Sequence, residues 1–262
     1  MNLRNFFILL LISVAFSSCI PVKDMVYLQD KGNSNKSVVD EISYKPYRLQ
    51  SSDILNINIK SMDAELATIF NATVTNQNNT INTESLYFNG YTVDDHGNIR
   101  IPVLGEINVL GFTVEEVRIK IESALLKDHF KKEAQIFVSV KLAGFRYTIN
   151  GEVEKPGTKT LFMDKLNILE AIANSGDITV TGDRKDVKVI RQFPQGSETF
   201  SIDLTDATAS KSPVFYLQPN DYIYIKPLKQ KTWGTGKTGI ESLSTIITIL
   251  SLATTTFLLL KN

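Results

Sequence analysis

The sequence predicts an α+β protein with two tandem β-rich domains, followed by a C-terminal transmembrane amphipathic helix. Three observations support this prediction. Short stretches of alternating apolar and polar residues recur through the middle of the chain, which is typical of half-buried strands. A helical pattern interrupts these stretches once in each half. The last two dozen residues carry almost no charge and have apolar residues at helical spacing.

The first domain is predicted to begin after Pro46. Alternation over residues 55–59 indicates a half-buried strand, in which Leu55 and Ile59 point inward. A strand pair is expected over residues 91–103, with Gly97 available for positive φ in its turn at residues 94–98.

A helix should follow, because Thr113 and Glu116 have the spacing of a capping box. Its buried stripe is predicted to consist of Val117, Ile121, Ala124 and Leu125. A strand over residues 135–142 completes this domain, which we place at residues 46–143.

The second domain is placed at residues 144–228. Its predicted elements are a strand at 146–153 with a Pro156-Gly157 turn, a helix at 166–173 closed by Ser175-Gly176, and strands at 187–191 and 222–225. Four flanking segments remain: a signal peptide at 1–18, a lipidated tether at 19–45, a linker at 229–238 and the transmembrane helix at 239–262.

The N-terminus has the pattern of a secretion signal. Arg4 is its only charged side chain, and the apolar run over residues 6–16 is too short to span a bilayer. Small residues lead to Cys19, which is the only cysteine and therefore forms no intrachain disulfide. This arrangement resembles a bacterial lipoprotein cleavage site, with Cys19 as the lipid-carrying first residue. Phe16 departs from that pattern, because Leu is usual there.

The C-terminal segment has two faces. No charge lies between Glu241 and Lys261, and a helix over residues 240–260 would be about 31 Å long, close to the hydrocarbon thickness of a bilayer. One face carries the hydroxyl stripe, which is predicted to line a pore: Glu241, Ser244, Thr248, Ser251 and Thr255. The opposite face is predicted to contact lipid: Leu243, Ile246, Leu250 and Phe257, together with Ala253 and Leu260.

Three interpretations of this segment remain open at the level of sequence. Several copies can close into a ring with a wet interior, or the segment can be a simple anchor whose hydroxyls bond to the backbone. A helix buried in a soluble core is the third. Trp233, with lysines on both sides and flexible glycines after it, favours a membrane interface. Glu241 is either a charged ring at a pore mouth or a solvated helix N-terminus.

Composition and motifs exclude other classes. The formal net charge is zero and no basic stripe is present, which argues against nucleic-acid binding. The two histidines, His96 and His129, lack metal-ligand spacing, and no nucleophile elbow, P-loop or dinucleotide fingerprint occurs. Asp94 and Asp95 are expected to cap a turn. We therefore predict no enzyme activity, no metal and no cofactor.

Several motifs resemble the Wza-like family of outer-membrane polysaccharide export lipoproteins. In the first domain they are Tyr47-x-Leu49-x-x-x-Asp53-x-Leu55-x-Ile57, Tyr91-x-Val93-Asp94, Gly97-x-Ile99-x-Ile101-Pro102-x-Leu104-Gly105-x-Ile107 and Gly111-Phe112-Thr113. Ser52 departs from the pattern, because Gly is usual before the aspartate.

The second domain resembles an SLBB domain, a β-grasp-like module that follows the export domain in this family. Its motifs are Ile149-Asn-Gly151-Glu152-Val153, Lys155-Pro156-Gly157, Leu166-x-Ile168-Leu169-x-Ala171-Ile172-Ala173-x-Ser175-Gly176, Val189-Ile190-Arg191, Ile202-Asp203-Leu204 and Leu217-x-Pro219-x-Asp221-x-Ile223-x-Ile225.

The resemblance implies an octamer-like homo-oligomeric ring that exports capsular or exopolysaccharide. The chain would be lipid-anchored in the outer membrane, with its soluble domains in the periplasm and its C-terminal helices around a pore. The implied partners are the polysaccharide, membrane lipid, and an inner-membrane polysaccharide co-polymerase or tyrosine kinase. The alternative is a membrane-anchored glycan- or protein-binding envelope lipoprotein without a pore.

Overall fold

The computed structural model of the chain describes residues 21–31, 45–61, 69–71, 87–128, 135–193, 195–232, 244 and 246–255. The predictions for Cys19, His129, Glu241, Leu243 and Phe257 lie outside these residues. Within the described part, two separate apolar cores form, one in each predicted domain.

The first domain contains a three-stranded antiparallel sheet in the order β2-β1-β5. Its strands are β1 (Ile54–Ser61), β2 (Tyr91–Thr92) and β5 (Ile136–Leu142). The predicted alternation in β1 is confirmed, because Leu55, Ile57 and Ile59 are buried while the residues between them are exposed.

Helix α1 (Val114–Asp128) covers the sheet beside β5. The capping box is confirmed: the Thr113 backbone N–H donates to Glu116 Oε2 at 2.7 Å, and the Glu116 N–H donates to Thr113 Oγ1 at 3.2 Å. Val117, Ile121 and Leu125 are fully buried, and each contributes about 1.5–3 kcal/mol of hydrophobic stabilisation.

The prediction of a strand pair over residues 91–103 is wrong in its pairing. The turn itself forms: Gly97 has φ of 82°, and a Cβ there would lie 2.3 Å from Leu110 Cβ. On either side of this turn, however, the strands diverge. β2 pairs with β1, whereas β3 (Asn98–Ile101) pairs with β4 (Gly105–Asn108) in a separate hairpin.

The second domain is built on a five-stranded mixed sheet in the order β7-β6-β10-β8-β9. Its strands are β6 (Phe145–Gly151), β7 (Gly157–Leu161), β8 (Gly182–Phe193), β9 (Gly196–Ile202) and β10 (Tyr222–Pro227). β10 runs parallel to β6 and antiparallel to β8. Gly151 is required where β6 passes β10, because a Cβ there would lie 2.0 Å from the Ile225 carbonyl oxygen.

Helix α2 (Ile168–Asn174) begins at an N-cap asparagine. Asn167 Oδ1 accepts from the Glu170 N–H at 2.9 Å, and Glu170 Oε2 accepts from the Asn167 N–H at 2.9 Å. The Tyr147 hydroxyl donates to the Ala171 carbonyl at 2.9 Å, which fixes the helix over the sheet. A short helix, α3 (Lys229–Thr232), follows β10.

A turn of one kind precedes both β1 and β10. The two sequences are similar: Leu49-Gln-Ser-Ser-Asp53 and Leu217-Gln-Pro-Asn-Asp221. In each turn a buried aspartate accepts the backbone N–H of the glutamine three residues earlier at 2.8 Å. The residue before the aspartate has positive φ, 71° at Ser52 and 68° at Asn220.

Residues 21–31, within the predicted tether, pack against the second domain, and we call them the N-terminal strap. The Leu28 N–H donates to the Leu204 carbonyl at 3.0 Å, and the Gln29 N–H donates to the Thr205 carbonyl at 2.8 Å. Lys31 Nζ lies 2.9 Å from Asp203 Oδ2. The first domain is therefore inserted between two segments of chain that pair with each other.

Candidate functional site

The C-terminal segment is helical over residues 246–255, and Ser244 is also helical. Every described side chain of this segment is exposed, including those of Ile246, Ile249 and Leu252. Apolar side chains in such number along one exposed helix favour a non-aqueous or protein environment. Of the helices in the described residues, none combines the length and the apolar character needed to cross a membrane.

The tail hydroxyls donate hydrogen bonds to carbonyl oxygens in their own helix. Thr248 Oγ1 lies 2.7 Å from the Ser244 carbonyl oxygen, and Thr255 Oγ1 lies 2.6 Å from that of Ser251. Thr254, which is off the stripe, bonds in the same way. Each oxygen keeps lone pairs free for an outside donor, so this face presents acceptors.

The described members of the predicted site are on this segment. Ser244, Thr248, Ser251 and Thr255 follow one another at spacings of four, three and four residues on a helix, so they lie on one face. Ile246 and Leu250 lie on the other side. Their assignment to a pore interior and to lipid stays a prediction, as do lipidation of Cys19 and a role for Glu241.

Both predicted membrane attachments leave the second domain beside one segment, residues 178–184, which comprises a loop and the first residues of β8. On the C-terminal side, the Leu228 N–H donates to the Thr181 carbonyl at 2.8 Å, just before α3. On the N-terminal side, the Arg184 guanidinium lies 5.3 Å from the centre of the Tyr27 ring. Next to it, Lys185 Nζ lies 2.6 Å from Asp24 Oδ1.

Glu152 holds this end of the domain together. Its carboxylate accepts from Thr181 Oγ1 at 2.6 Å and Thr179 Oγ1 at 2.9 Å, and it forms an ion pair with Lys231 of α3. Burial raises the pKa of Glu152, but the hydrogen bonds from Lys231 and the two threonines outweigh it, and the pKa lies below its usual value. The carboxylate is therefore charged at neutral pH and anchors the start of the linker.

Tyr27 attaches the strap to the second domain, as Glu152 attaches α3. Its hydroxyl donates to Asp177, and burial followed by that hydrogen bond raises the pKa of Tyr27 to about 12. Sequence analysis missed Tyr27, Glu152 and Arg184 as positioning residues. Each acts through a partner far away in the chain, and no local pattern distinguishes such residues.

The predicted turn around the two aspartates is confirmed. Asp94 Oδ1 accepts the backbone N–H groups of His96 and Asn98, both at 2.8 Å. His96 is exposed at this turn. Among the described residues, no three His, Cys, Asp or Glu side chains converge as metal ligands.

Two family models match successive parts of this chain. Residues 42–141 match the polysaccharide biosynthesis/export protein model, and residues 146–225 match the SLBB domain model. The matched ranges coincide with the two β-rich domains and meet at the short connection between β5 and β6. An export domain followed by an SLBB domain is thus the class that this fold defines.

Two curated relatives carry the same name, EPS I polysaccharide export outer membrane protein EpsA. The protein from Ralstonia solanacearum is 35% identical over 104 residues, which are 39% of this chain and 27% of the relative. The protein from Ralstonia nicotianae is 30% identical over 152 residues, which are 56% of this chain and 39% of the relative. The alignments cover less than two fifths of either relative's length. The chain thus carries a domain that matches the polysaccharide biosynthesis/export protein model, followed by an SLBB domain, in the order that its motifs implied.

Proposed function

We propose that this protein exports a polysaccharide across the outer membrane as a ring of identical subunits. The C-terminal helices would surround a wet pore, and the two domains would form the periplasmic part. A hydrated polysaccharide cannot cross hydrocarbon, because its hydroxyls would lose water without replacement. The pore would provide a continuous wet path and perform no chemistry. Energy for transport would then come from synthesis of the polysaccharide and not from this chain. The inner-membrane partner would be a polysaccharide co-polymerase or a tyrosine kinase.

The observation that carries the proposal is the common exit of both chain ends from the second domain. Tyr27 of the strap contacts Arg184, and Leu228, just before α3, contacts Thr181, so both ends of the chain leave the domain beside residues 178–184. Cys19 is five residues before Asp24, so the two Cα atoms can lie no more than about 18 Å apart, and the Asp24 carboxylate contacts Lys185 next to this segment. A lipid anchor and a spanning helix that start together are suited to one membrane face.

The exposed faces of the tail support a role for it between subunits and lipid. Apolar side chains such as Ile249 and Leu252 would contact lipid or neighbouring helices, while Thr248 and Ser251 would face the lumen. Hydroxyls already bonded to their own backbone would offer oxygen acceptors to sugar hydroxyls without binding them tightly. Glu241 would form a charged ring at the periplasmic mouth.

The second candidate is an anchored binding module without a pore. The backbone hydrogen bonds of the tail hydroxyls favour it, because a lone membrane anchor satisfies its hydroxyls in the same way. Oligomeric state in detergent separates the candidates: a closed ring in projection images is expected for the exporter, and a monomer for the anchored module.

The first test is deletion of residues 239–262 in cells. Surface polysaccharide should disappear while the two domains remain folded and lipid-anchored. Normal surface polysaccharide in the deletion strain would rule out the pore.

A matched pair of substitutions tests the hydroxyl stripe. Thr248→Val removes a hydroxyl on the stripe, and Thr254→Val removes an equivalent backbone-bonded hydroxyl off it. The first should lower single-channel conductance in planar bilayers and the second should not. Equal effects of the two variants would argue for a simple anchor.

A further inference from the structure

We propose that the cleft between the two domains binds a sugar residue that carries a carboxylate. This inference deepens the proposed function and rests on it, because it assigns the exported polymer to the acidic polysaccharides. The cleft has a volume of about 340 Å³, within the usual range of small-molecule sites. Residues 52–54 and Tyr87 line it on one side, and Arg146, Thr158 and Thr160 line it on the other.

Each wall of the cleft is fixed by a backbone hydrogen bond within its own domain. The Ala143 N–H donates to the Ile54 carbonyl at 2.8 Å, which joins the interdomain connection to β1. On the other wall, the Asn220 N–H donates to the Arg146 carbonyl at 2.6 Å. The two matching turns therefore face the same space, one from each domain. A site formed this way is set before any ligand arrives.

Arg146 supplies the positive charge of the cleft. It is exposed on β6, opposite Thr160 of β7, and none of the ion pairs between described residues involves it. Among the described residues that line the cleft, Asp53 has the only carboxylate, which is buried and accepts from Tyr47 and from the Gln50 backbone. A planar guanidinium that forms no ion pair with a described residue is suited to bidentate binding of a carboxylate.

The remaining lining groups fit a sugar ring. Ser52, Thr158, Thr160 and Asn220 provide hydroxyl and amide groups at the surface of the cleft. The Tyr87 ring is 66% exposed and offers a flat apolar surface to the C–H groups of a pyranose. This set of groups favours an acidic sugar, because it combines one cation with several neutral hydrogen-bonding groups and one aromatic ring. A phosphate would bind weakly here, because the described lining offers a single cation and no helix N-terminus.

The test is a titration of the full-length protein in detergent. Tetragalacturonate is the acidic probe and cellotetraose the neutral one, with binding measured by calorimetry. The wild-type protein should bind tetragalacturonate more tightly, and Arg146→Ala should weaken that binding about tenfold or more, as expected for loss of a charged hydrogen-bonded pair. Arg100→Ala, an exposed arginine on β3 outside the cleft, is the control and should change nothing.

Two further variants keep the test decisive if Arg146→Ala misfolds. Arg146→Lys keeps the positive charge but loses the planar pair of N–H donors, so its affinity for tetragalacturonate should be intermediate. Tyr87→Phe should retain binding and Tyr87→Ala should lose it. Equal affinity of the wild-type protein for both oligosaccharides, or equal behaviour of the Arg146 and Arg100 variants, overturns the acidic-sugar site. Neither result affects the export proposal, which the tail deletion tests without any oligosaccharide.

Discussion

The turns before β1 and β10 have the same backbone conformation, but each stabilises its buried aspartate with a different kind of partner. Asp53 accepts from a neutral partner, the Tyr47 hydroxyl, at 2.8 Å. Asp221 is held by the Arg191 guanidinium, with contacts of 2.9 Å from Nε and 2.7 Å from Nη2. Arg191 is itself buried, with 8% of its side chain exposed.

The comparison shows that the turn requires an acceptor, while the rest of each domain decides the partner. Burial raises the pKa of Asp53, and the hydrogen bonds from Gln50 and Tyr47 offset this only in part. Burial also raises the pKa of Asp221, but there a cation opposes it directly. Removal of the aspartate's partner should therefore lower the unfolding free energy most in the second domain, where it breaks the ion pair between Asp221 and Arg191.

The largest effect is expected from Arg191→Met. This change leaves the Asp221 carboxylate buried without its cation, and the second domain should lose about 3–5 kcal/mol of unfolding free energy. Hydrogen exchange of peptides from β8 and β10, measured on the full chain, would report it. Lys188→Ala is the control, because Lys188 forms a half-exposed ion pair on the same strand and should cost under about 1 kcal/mol. Similar losses in both variants would contradict the comparison.

A pair of amide substitutions compares the two turns directly. Asp221→Asn should cost about 2–3 kcal/mol, since Arg191 then faces an uncharged group. Asp53→Asn should cost under about 1 kcal/mol, because the amide oxygen can take the place of Asp53 Oδ2 and accept from both the Gln50 N–H and the Tyr47 hydroxyl. Exchange rates in β10 and β1 would measure the two costs, and a larger cost at Asp53 would reverse our interpretation.

The pH dependence of the first domain should also depend on Asp53. Because its pKa is raised in the folded state, the folded chain binds this proton more tightly than the unfolded chain. That contribution is complete below the unfolded value, about 3.9, and is lost as pH rises through the folded pKa. Asp53→Asn should remove this decline in unfolding free energy, which can be measured by denaturation between mildly acidic and neutral pH. If the variant shows the same dependence of unfolding free energy on pH, another group causes the decline.

The smallest effect is expected at the positive-φ residues. Ser52→Gly should stabilise the first domain by about 0.5 kcal/mol, because serine is strained at φ of 71° whereas glycine is not. Asn220→Gly should change the second domain little, because asparagine tolerates this conformation. Thermal unfolding can resolve the difference, and a gain at residue 220 equal to that at 52 would count against a strain explanation.

The elements that could be predicted from the sequence are those that local patterns determine. Thr113 with Glu116, and the alternation from Leu55 to Ile59, need only their own neighbours, so both were found. Ser52 was also marked as unusual in its motif, at a position where the backbone has positive φ. The pairing of β2 with β1 and the strand β9 were missed, because each depends on a partner that periodicity does not identify.

The candidate site was predictable only in part for the same reason. A helical stripe can be read from the spacing of Ser244, Thr248 and Ser251. The roles of the strap and of Glu152 could not be found this way, because the strap bonds and the Glu152–Lys231 ion pair join residues more than seventy positions apart. The cleft is formed by two domains, so no single stretch of sequence contains it.

The strap also has a consequence for how the chain matures. Gln29 pairs with Asp206, so its partner leaves the ribosome long after it does. Domains tend to fold in the order in which they emerge. The first domain can therefore be folded before the second domain, to which residues 21–31 bind, has been synthesised. If acylation of Cys19 takes place in that interval, the modifying enzymes would act on an N-terminus that is not yet packed against the second domain. Closure of the strap would then come last, drawing a chain that is already lipid-bound against its second domain.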